Sequence, residues 1–171
     1  KSLPAGLKVK GDLCVTGCIN LQSLPDDMEV GGSIDLSRCS NLGSLRDNME
    51  VKAKLDLSDC ENLISLPTGL KVKGNLILDR CINLQELPAG VSVGGDVSLR
   101  CCENLVSIPK DLRVNKNLIL ARCSNLTSLT DNLREIVKGN IDLARCSNLR
   151  SLPDNITQMG QGSNYQRTIP I

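Results

Sequence analysis

The sequence has no histidine, phenylalanine or tryptophan, and one tyrosine is its only aromatic residue. Without histidine, it lacks the side chain most often used as a general base near neutral pH, and no C-x-x-C pair supports a structural zinc site. Globular cores use aromatic side chains to fill irregular gaps, whereas a repeat protein can fill every layer with the same aliphatic residues. We therefore expect a solenoid that is not an enzyme and that holds no metal or cofactor.

The sequence also lacks a strong charge of either sign and any long apolar run. Its formal net charge is +1, so no basic field is available for a polyanion, and nucleic acid is a poor partner. No apolar run approaches the roughly 18 residues of a membrane span. The expected partner is therefore neither a nucleic acid nor a membrane.

What the sequence does have is a repeat with a period of 21 residues, roughly L-P-x-x-L-x-V-x-G-x-L-x-L-x-x-C-x-N-L-x-S. Such a repeat cannot bury its own leucines alone, so neighbouring repeats must stack into one continuous core. The repeats occupy residues 3–23, 24–44, 45–65, 66–86, 87–107, 108–128 and 129–151, with a partial repeat from 152. We assign residues 1–156 to the repeat domain and residues 157–171 to a C-terminal tail, cap or linker.

Two irregularities at the ends of the repeat array carry further expectations. The chain begins inside a repeat, so we expect a fragment of a larger protein, and an open end would allow end-to-end self-association. The last full repeat is two residues longer than the others, and Leu133 to Lys138 is predicted to form one helical turn. Elsewhere the return segment after each L-P is too short for a helix, and we expect extended or 3₁₀ backbone.

Each repeat contains one clear strand signal. In Leu76-Ile77-Leu78 the alternation predicts a strand with both leucines inward and Ile77 outward. Seven such segments predict a parallel sheet of about seven strands. Glycine precedes the strand in five repeats, and Ala53 or Lys116 takes its place in the other two, which indicates that this position does not need a positive φ.

Two further columns of the repeat are polar or reactive. One holds cysteine throughout, and we expect these thiols to be free and packed inside, which favours a reducing, cytoplasmic compartment. Cys14 and Cys101 lie outside that column and are expected to be free and partly exposed. The other column holds asparagine throughout, and we expect an inaccessible ladder bonded to backbone groups. The members are Cys18, Cys39, Cys60, Cys81, Cys102, Cys123 and Cys146, and Asn20, Asn41, Asn62, Asn83, Asn104, Asn125 and Asn148.

The segment L-x-L-x-x-C-x-N-L followed by S-L-P resembles the leucine-rich repeat family in its cysteine-containing form, seven times over about residues 3 to 156. The resemblance implies an α/β solenoid by convention, here mainly β with little true helix, whose concave sheet binds a protein partner. Short repeats of this kind are typical of bacterial members, including effectors delivered into host cells, which places the chain in a bacterial or host cytosol. The valine of each repeat departs from the family pattern, because it falls four residues before the first strand leucine instead of three.

The candidate binding residues are those on exposed strand positions that break the repeat. Ile77 and Ile119 are apolar where solvent is expected, and arginines lie near both. Either they form a protein-binding patch, or they are β-branched residues that stabilise the strands. The predicted partner-binding set is Ile77, Arg80, Arg100, Cys101, Ile119, Arg122, Arg38, Asp56 and Arg145.

These features predict a non-catalytic protein–protein interaction module that uses the concave sheet face. Two alternatives stay open at this point. The chain could instead be the substrate-recruiting domain of a bacterial effector enzyme such as a ubiquitin ligase, or a purely structural solenoid spacer.

Overall fold

The computed structural model describes residues 3–153, which wind into a solenoid of short parallel strands. The single helix of the described part is α1 (Leu133–Ile136), and none of its helices could cross a membrane. The strands are β1 (Lys8–Val9), β2 (Leu13–Cys14), β3 (Glu29–Val30), β4 (Ile34–Asp35), β5 (Glu50–Val51), β6 (Leu55–Asp56), β7 (Lys71–Val72), β8 (Leu76–Ile77), β9 (Ser92–Val93), β10 (Val97–Ser98), β11 (Arg113–Val114), β12 (Leu118–Ile119) and β13 (Ile141–Asp142).

The main sheet contains one strand from every repeat. It has seven parallel strands in the order β13-β12-β10-β8-β6-β4-β2, and its register joins equivalent residues, as in Val97 opposite Leu76. Leu76 and Leu78 are fully buried while Ile77 is partly exposed, as the alternation predicts. The predicted mainly-β solenoid and its seven-stranded sheet are therefore confirmed.

A second line of strands runs along the valine column and was not predicted. β5, β7, β9 and β11 form a four-stranded parallel sheet, and β1 and β3 form a separate pair. In this column Val72, Val93 and Val114 are at most 2% exposed. The signal was present in the sequence as a shorter alternation, Leu70-x-Val72, which has the period of two that marks a strand. The departure of the valine from the leucine-rich pattern thus coincides with a second sheet.

Glycine precedes the main strands because adjacent coils approach closely there. None of these glycines has a positive φ, so that prediction is confirmed. A Cβ placed on Gly95 would lie 2.0 Å from Asn75 Oδ1 and 2.8 Å from the carbonyl oxygen of Gly74, one coil earlier. The Asn75 side chain occupies that space because its Oδ1 accepts a hydrogen bond from the Asp96 amide at 2.9 Å. Glycine is needed here for space between coils, not for backbone conformation.

The cysteine column forms a ladder of free thiols. All nine cysteines are free, and the five inner ladder members are fully buried. The Cys81 thiol donates to the Leu57 carbonyl of the preceding coil at 3.1 Å, and other ladder thiols repeat this bond. Burial raises the pKa of the Cys60 thiol to about 12, so it stays protonated and able to donate. The prediction was wrong for Cys18, which is exposed, and for Cys146, which is half-buried, because each lies in an end coil.

The asparagine column was predicted to be inaccessible, and this is wrong. All seven asparagines are exposed, so the carboxamides lie at the rim of the turn instead of in the core. They still join coils, since Asn62 Nδ2 donates to Asn41 Oδ1 at 3.1 Å and Asn83 Nδ2 to the Glu61 carbonyl at 2.9 Å. The cysteine thiols, not the amides, fill the interior of this turn.

The two remaining expectations concern the return segments and the C-terminus. The return segments contain turns, such as the one closed by the Met28 amide and the Pro25 carbonyl at 3.3 Å, and the elongated repeat forms α1 within the predicted helical turn. The predicted tail, cap or linker at residues 157–171 lies outside the described residues.

Candidate protein-binding surface

The two predicted apolar residues lie in one row across the main sheet. Ile77 and Ile119 each pair with Ser98, which lies on the strand between them, and both isoleucines are partly exposed. Parallel strands are about 4.8 Å apart, so the isoleucines are about 10 Å apart. Asp56 continues the row on one side and Asp142 on the other. The row is therefore an apolar pair with carboxylates at both ends.

Ser98 is the feature of this surface that sequence reasoning missed. It is 6% exposed and is the buried polar residue of the described part of the chain. Its hydroxyl donates to Asp79 Oδ1 at 2.6 Å and accepts from Arg100 Nη1 at 3.0 Å. The Arg100 amide also donates to Asp79 Oδ1, at 3.0 Å. The space between the isoleucines is thus closed by a fixed hydrogen-bonded group.

Arg100 was predicted on the strand but lies in the turn after β10, and its side chain reaches back to the sheet face, where one of its contacts is already taken. Its guanidinium is 3.9 Å from Asp79 Oδ2, in addition to its bond to Ser98. The signal for this network was a pair of charged residues in adjacent repeats, because Asp79 and Arg100 occupy a position that holds threonine, serine or alanine in the other repeats. The hydrogen bond between Ser98 and Asp79 could be inferred from the sequence only once the register of the strands was known.

The arginine column was predicted on exposed strand positions, and this placement is wrong. These residues lie in the turn after the strand and have left-handed backbone, with φ of 60° at Arg80 and 64° at Arg122. Arg38, Cys101 and Arg145 share this conformation, which is unusual for residues other than glycine. Gly17 occupies the same position in the first coil. The column therefore forms a rim beside the sheet face.

Within this rim Arg80 is committed to an ion pair inside the molecule. Its Nε and Nη2 donate to the two carboxylate oxygens of Asp59, one coil earlier, with Nη2 to Oδ2 at 2.7 Å. These hydrogen bonds hold the pKa of Asp59 below its ordinary value. No ion pair is recorded for Arg38, Arg122 or Arg145 among residues 3–153. Those three arginines are exposed.

Two aspartates of the sheet face accept hydrogen bonds from the serine that follows two residues later in the same coil. Asp56 accepts from the Ser58 hydroxyl at 2.7 Å and from its amide at 3.1 Å, and lies 3.3 Å from Lys54 Nζ. Asp35 makes the same contacts with Ser37. Burial raises the pKa of Asp35, but the bonds from Ser37 outweigh it, and the pKa is lowered. Asp56 was predicted to contact a partner, yet its carboxylate is largely used within the chain.

Other exposed apolar side chains lie away from the main sheet and were not predicted. Ile64 is 57% exposed and Val106 is 48% exposed, and both lie between the asparagine turn and the proline of the next repeat. They are two coils apart, like Ile77 and Ile119. Ile19 and Ile82 lie in the turn that contains the cysteine ladder. The two unpaired thiols outside the ladder behave as expected, with Cys14 exposed and Cys101 half-buried.

Comparisons with protein-family models, curated proteins and solved structures find no match to this chain. The likeness to leucine-rich repeats therefore stays a prediction carried by the repeat residues, and the surface has to be interpreted from its own chemistry.

Proposed function

We propose that this chain is a non-catalytic protein-interaction module that binds a protein through the exposed face of the seven-stranded sheet. The observation that carries the proposal is the row in which Ile77 and Ile119 flank the buried Ser98. Exposed apolar patches mark interaction sites, and arginine is enriched in binding hot spots. Partner contact would fall on Ile77, Ile119 and Arg100, and on four rim residues, Arg38, Cys101, Arg122 and Arg145.

The geometry of the row supports binding over simple strand stabilisation. β-Branched residues would stabilise any of the seven strands, but at this outward position isoleucine occurs only on β8 and β12, on either side of the buried Ser98. The neighbouring Ala121 and Ala144 are small and partly exposed, which leaves room for a partner side chain beside Ile119. The C-terminal half of the sheet face is thus less polar than the N-terminal half, where Ser37 and Ser58 cover the aspartates.

Lysine substitutions test the proposal without breaking the sheet. In Ile77→Lys with Ile119→Lys the new ammonium groups lie next to Asp56 and Asp142, so cross-strand attraction favours the fold. Aspartate at these positions would instead repel both neighbours. The matched control is Ile64→Lys with Val106→Lys, which adds the same charges at the same spacing on another face.

The measurement is affinity capture of cell proteins on immobilised wild-type and variant protein, followed by quantitative mass spectrometry. We expect a partner that the wild type and the control retain and that the Ile77/Ile119 variant loses, with all three showing the same circular dichroism. Equal capture by both variants would remove the sheet face as the binding site.

We further propose that the chain works in a reducing compartment, such as a cytosol. The nine free thiols support this, because the inner ladder is buried in its protonated form and could not pair without distortion of the coils.

A further inference from the structure

The second sheet is interrupted at one place, between β3 and β5. Elsewhere in this sheet each coil donates two amide bonds to the preceding coil, as from Lys71 to Met49 and from Lys73 to Val51, at 2.9 and 3.0 Å. The equivalent amides of Glu50 and Lys52 make no such bond, and β5 pairs only with β7. In the main sheet the same two coils stay paired through β4 and β6. The coils therefore diverge on one side and leave a wedge.

Two departures from the repeat coincide in the coil that opens this wedge. Ala53 replaces the close-approach glycine, where a Cβ would crowd the backbone of the preceding coil, as at Gly74 and Gly95. The amide of Ala53 makes no bond to that coil. Arg46 replaces the proline of the return segment. Its Nη2 donates to the Met28 carbonyl at 3.4 Å, the acceptor that the Glu50 amide would otherwise use, and its Nε is buried without a partner.

The wedge is an open groove of about 630 Å³ with an apolar floor. Met28 is buried at its base, while Val9 and Val30 are partly exposed, unlike the fully buried Val51 of the next coil. Its edges carry strand backbone without strand partners, because the Glu50 and Lys52 amides make no bond to the preceding coil. An extended chain would satisfy these groups by adding a strand to the edge of β5.

The charge around the groove is positive. Glu29 is neutralised by Lys8 at 3.0 Å, and Glu50 by Lys52 at 3.0 Å, in exposed ion pairs. Lys10 and Arg46 also line the groove, and no ion pair is recorded for either within residues 3–153. The groove thus has an excess of two positive charges beside its apolar floor.

We propose that this wedge binds an extended peptide segment of a partner protein that alternates apolar and acidic side chains. The apolar side chains pack on Val9 and Val30, the acidic side chains face Lys10 and Arg46, and the peptide carbonyls accept from the Glu50 and Lys52 amides. Alternation is required because successive side chains of a strand point to opposite sides. This site is separate from the sheet face and does not depend on it.

Fluorescence anisotropy with a labelled acetyl-(Val-Glu)₄-amide peptide tests the proposal. We expect this peptide to bind at least ten-fold more tightly than acetyl-(Val-Lys)₄-amide, and more weakly as salt is raised. Lys10→Glu should weaken binding at least five-fold. Arg113→Glu, an equal charge change on the regular part of the same sheet, should change it less than two-fold. Equal binding of both peptides, or equal effects of both variants, would overturn the proposal.

A variant that closes the groove provides an independent arm. In Arg46→Pro with Ala53→Gly, hydrogen exchange should show protected Glu50 and Lys52 amides, and peptide binding should fall at least ten-fold. Undiminished binding to a variant with protected amides refutes the site. The proposal is also refuted if a peptide with the sequence of residues 160–171 binds as tightly as the Val-Glu peptide. A dimer in sedimentation that Lys10→Glu dissociates would refute it too, because in both cases the groove would be occupied by this chain itself.

Discussion

Closing the wedge should stabilise the protein, and the gain can be worked out from the missing bonds. Arg46→Pro with Ala53→Gly restores the residues found at these positions in other repeats. Regular spacing would then allow three backbone hydrogen bonds, from Glu50, Lys52 and residue 53 to the preceding coil. Each contributes about 1 kcal/mol net. The new glycine raises the entropy of the unfolded chain and lowers the free energy of unfolding by about 0.5–1 kcal/mol. The new proline lowers that entropy and offsets a similar amount.

The expected result is a free energy of unfolding about 2 to 3 kcal/mol higher, measured by urea denaturation followed by circular dichroism. Hydrogen exchange followed by NMR should show the Glu50 and Lys52 amides exchanging at least ten-fold more slowly. Each single variant should give only part of the gain, since Arg46 occupies the Met28 carbonyl and Ala53 removes the amide bond at its own position.

Lys116→Gly is the matched control, because Lys116 is the other non-glycine residue at the close-approach position. Its amide also lacks the bond to the preceding coil, yet β11 remains paired with β9. At most one hydrogen bond can be regained there, and the greater entropy of glycine in the unfolded chain offsets its contribution. We therefore expect almost no change in the free energy of unfolding. If the double variant is no more stable than the wild type and its two amides stay unprotected, steric separation by Arg46 and Ala53 is not the cause of the wedge.

Three further predictions concern the thiol ladder and the turn. Because burial raises the pKa of the Cys60 thiol to about 12, its contribution to the free energy of unfolding is complete below the unfolded-state pKa near 9 and is lost as pH rises from 9 to 12. At pH 10 the ionisation of this thiol should lower the free energy of unfolding by about 1.4 kcal/mol, measured by urea denaturation. Cys60→Ala should remove this part of the pH dependence. Ellman's reagent at pH 8 should modify Cys14 and Cys18 rapidly and the buried thiols only in denaturant, and rapid modification of more than four thiols in the folded state would contradict the packing. Arg122→Gly should raise the free energy of unfolding by about 0.5–1 kcal/mol by relieving its left-handed backbone, whereas Arg113→Gly, where φ is negative, should lower it by a similar amount.

Part of the candidate surface was predictable because it depends only on the period of the strand. Ile77 and Ile119 break the pattern at an outward position, and their register follows from a repeat of constant length. The role of the arginines was not predictable, because a left-handed turn at Arg80 is not encoded by its side chain. The left-handed backbone at Arg80 follows from the sharp change of direction that the chain makes just before the buried Cys81.

The sequence by itself determined the period, the inward leucines and the buried thiol column, since each is a local pattern repeated until stacking is unavoidable. Only the tertiary structure decided which coils lie close together. The exposed asparagines, the burial of Ser98 and the opening beside Arg46 all depend on the distance to the preceding coil, which is set by contacts between residues about 21 apart and not by any one repeat.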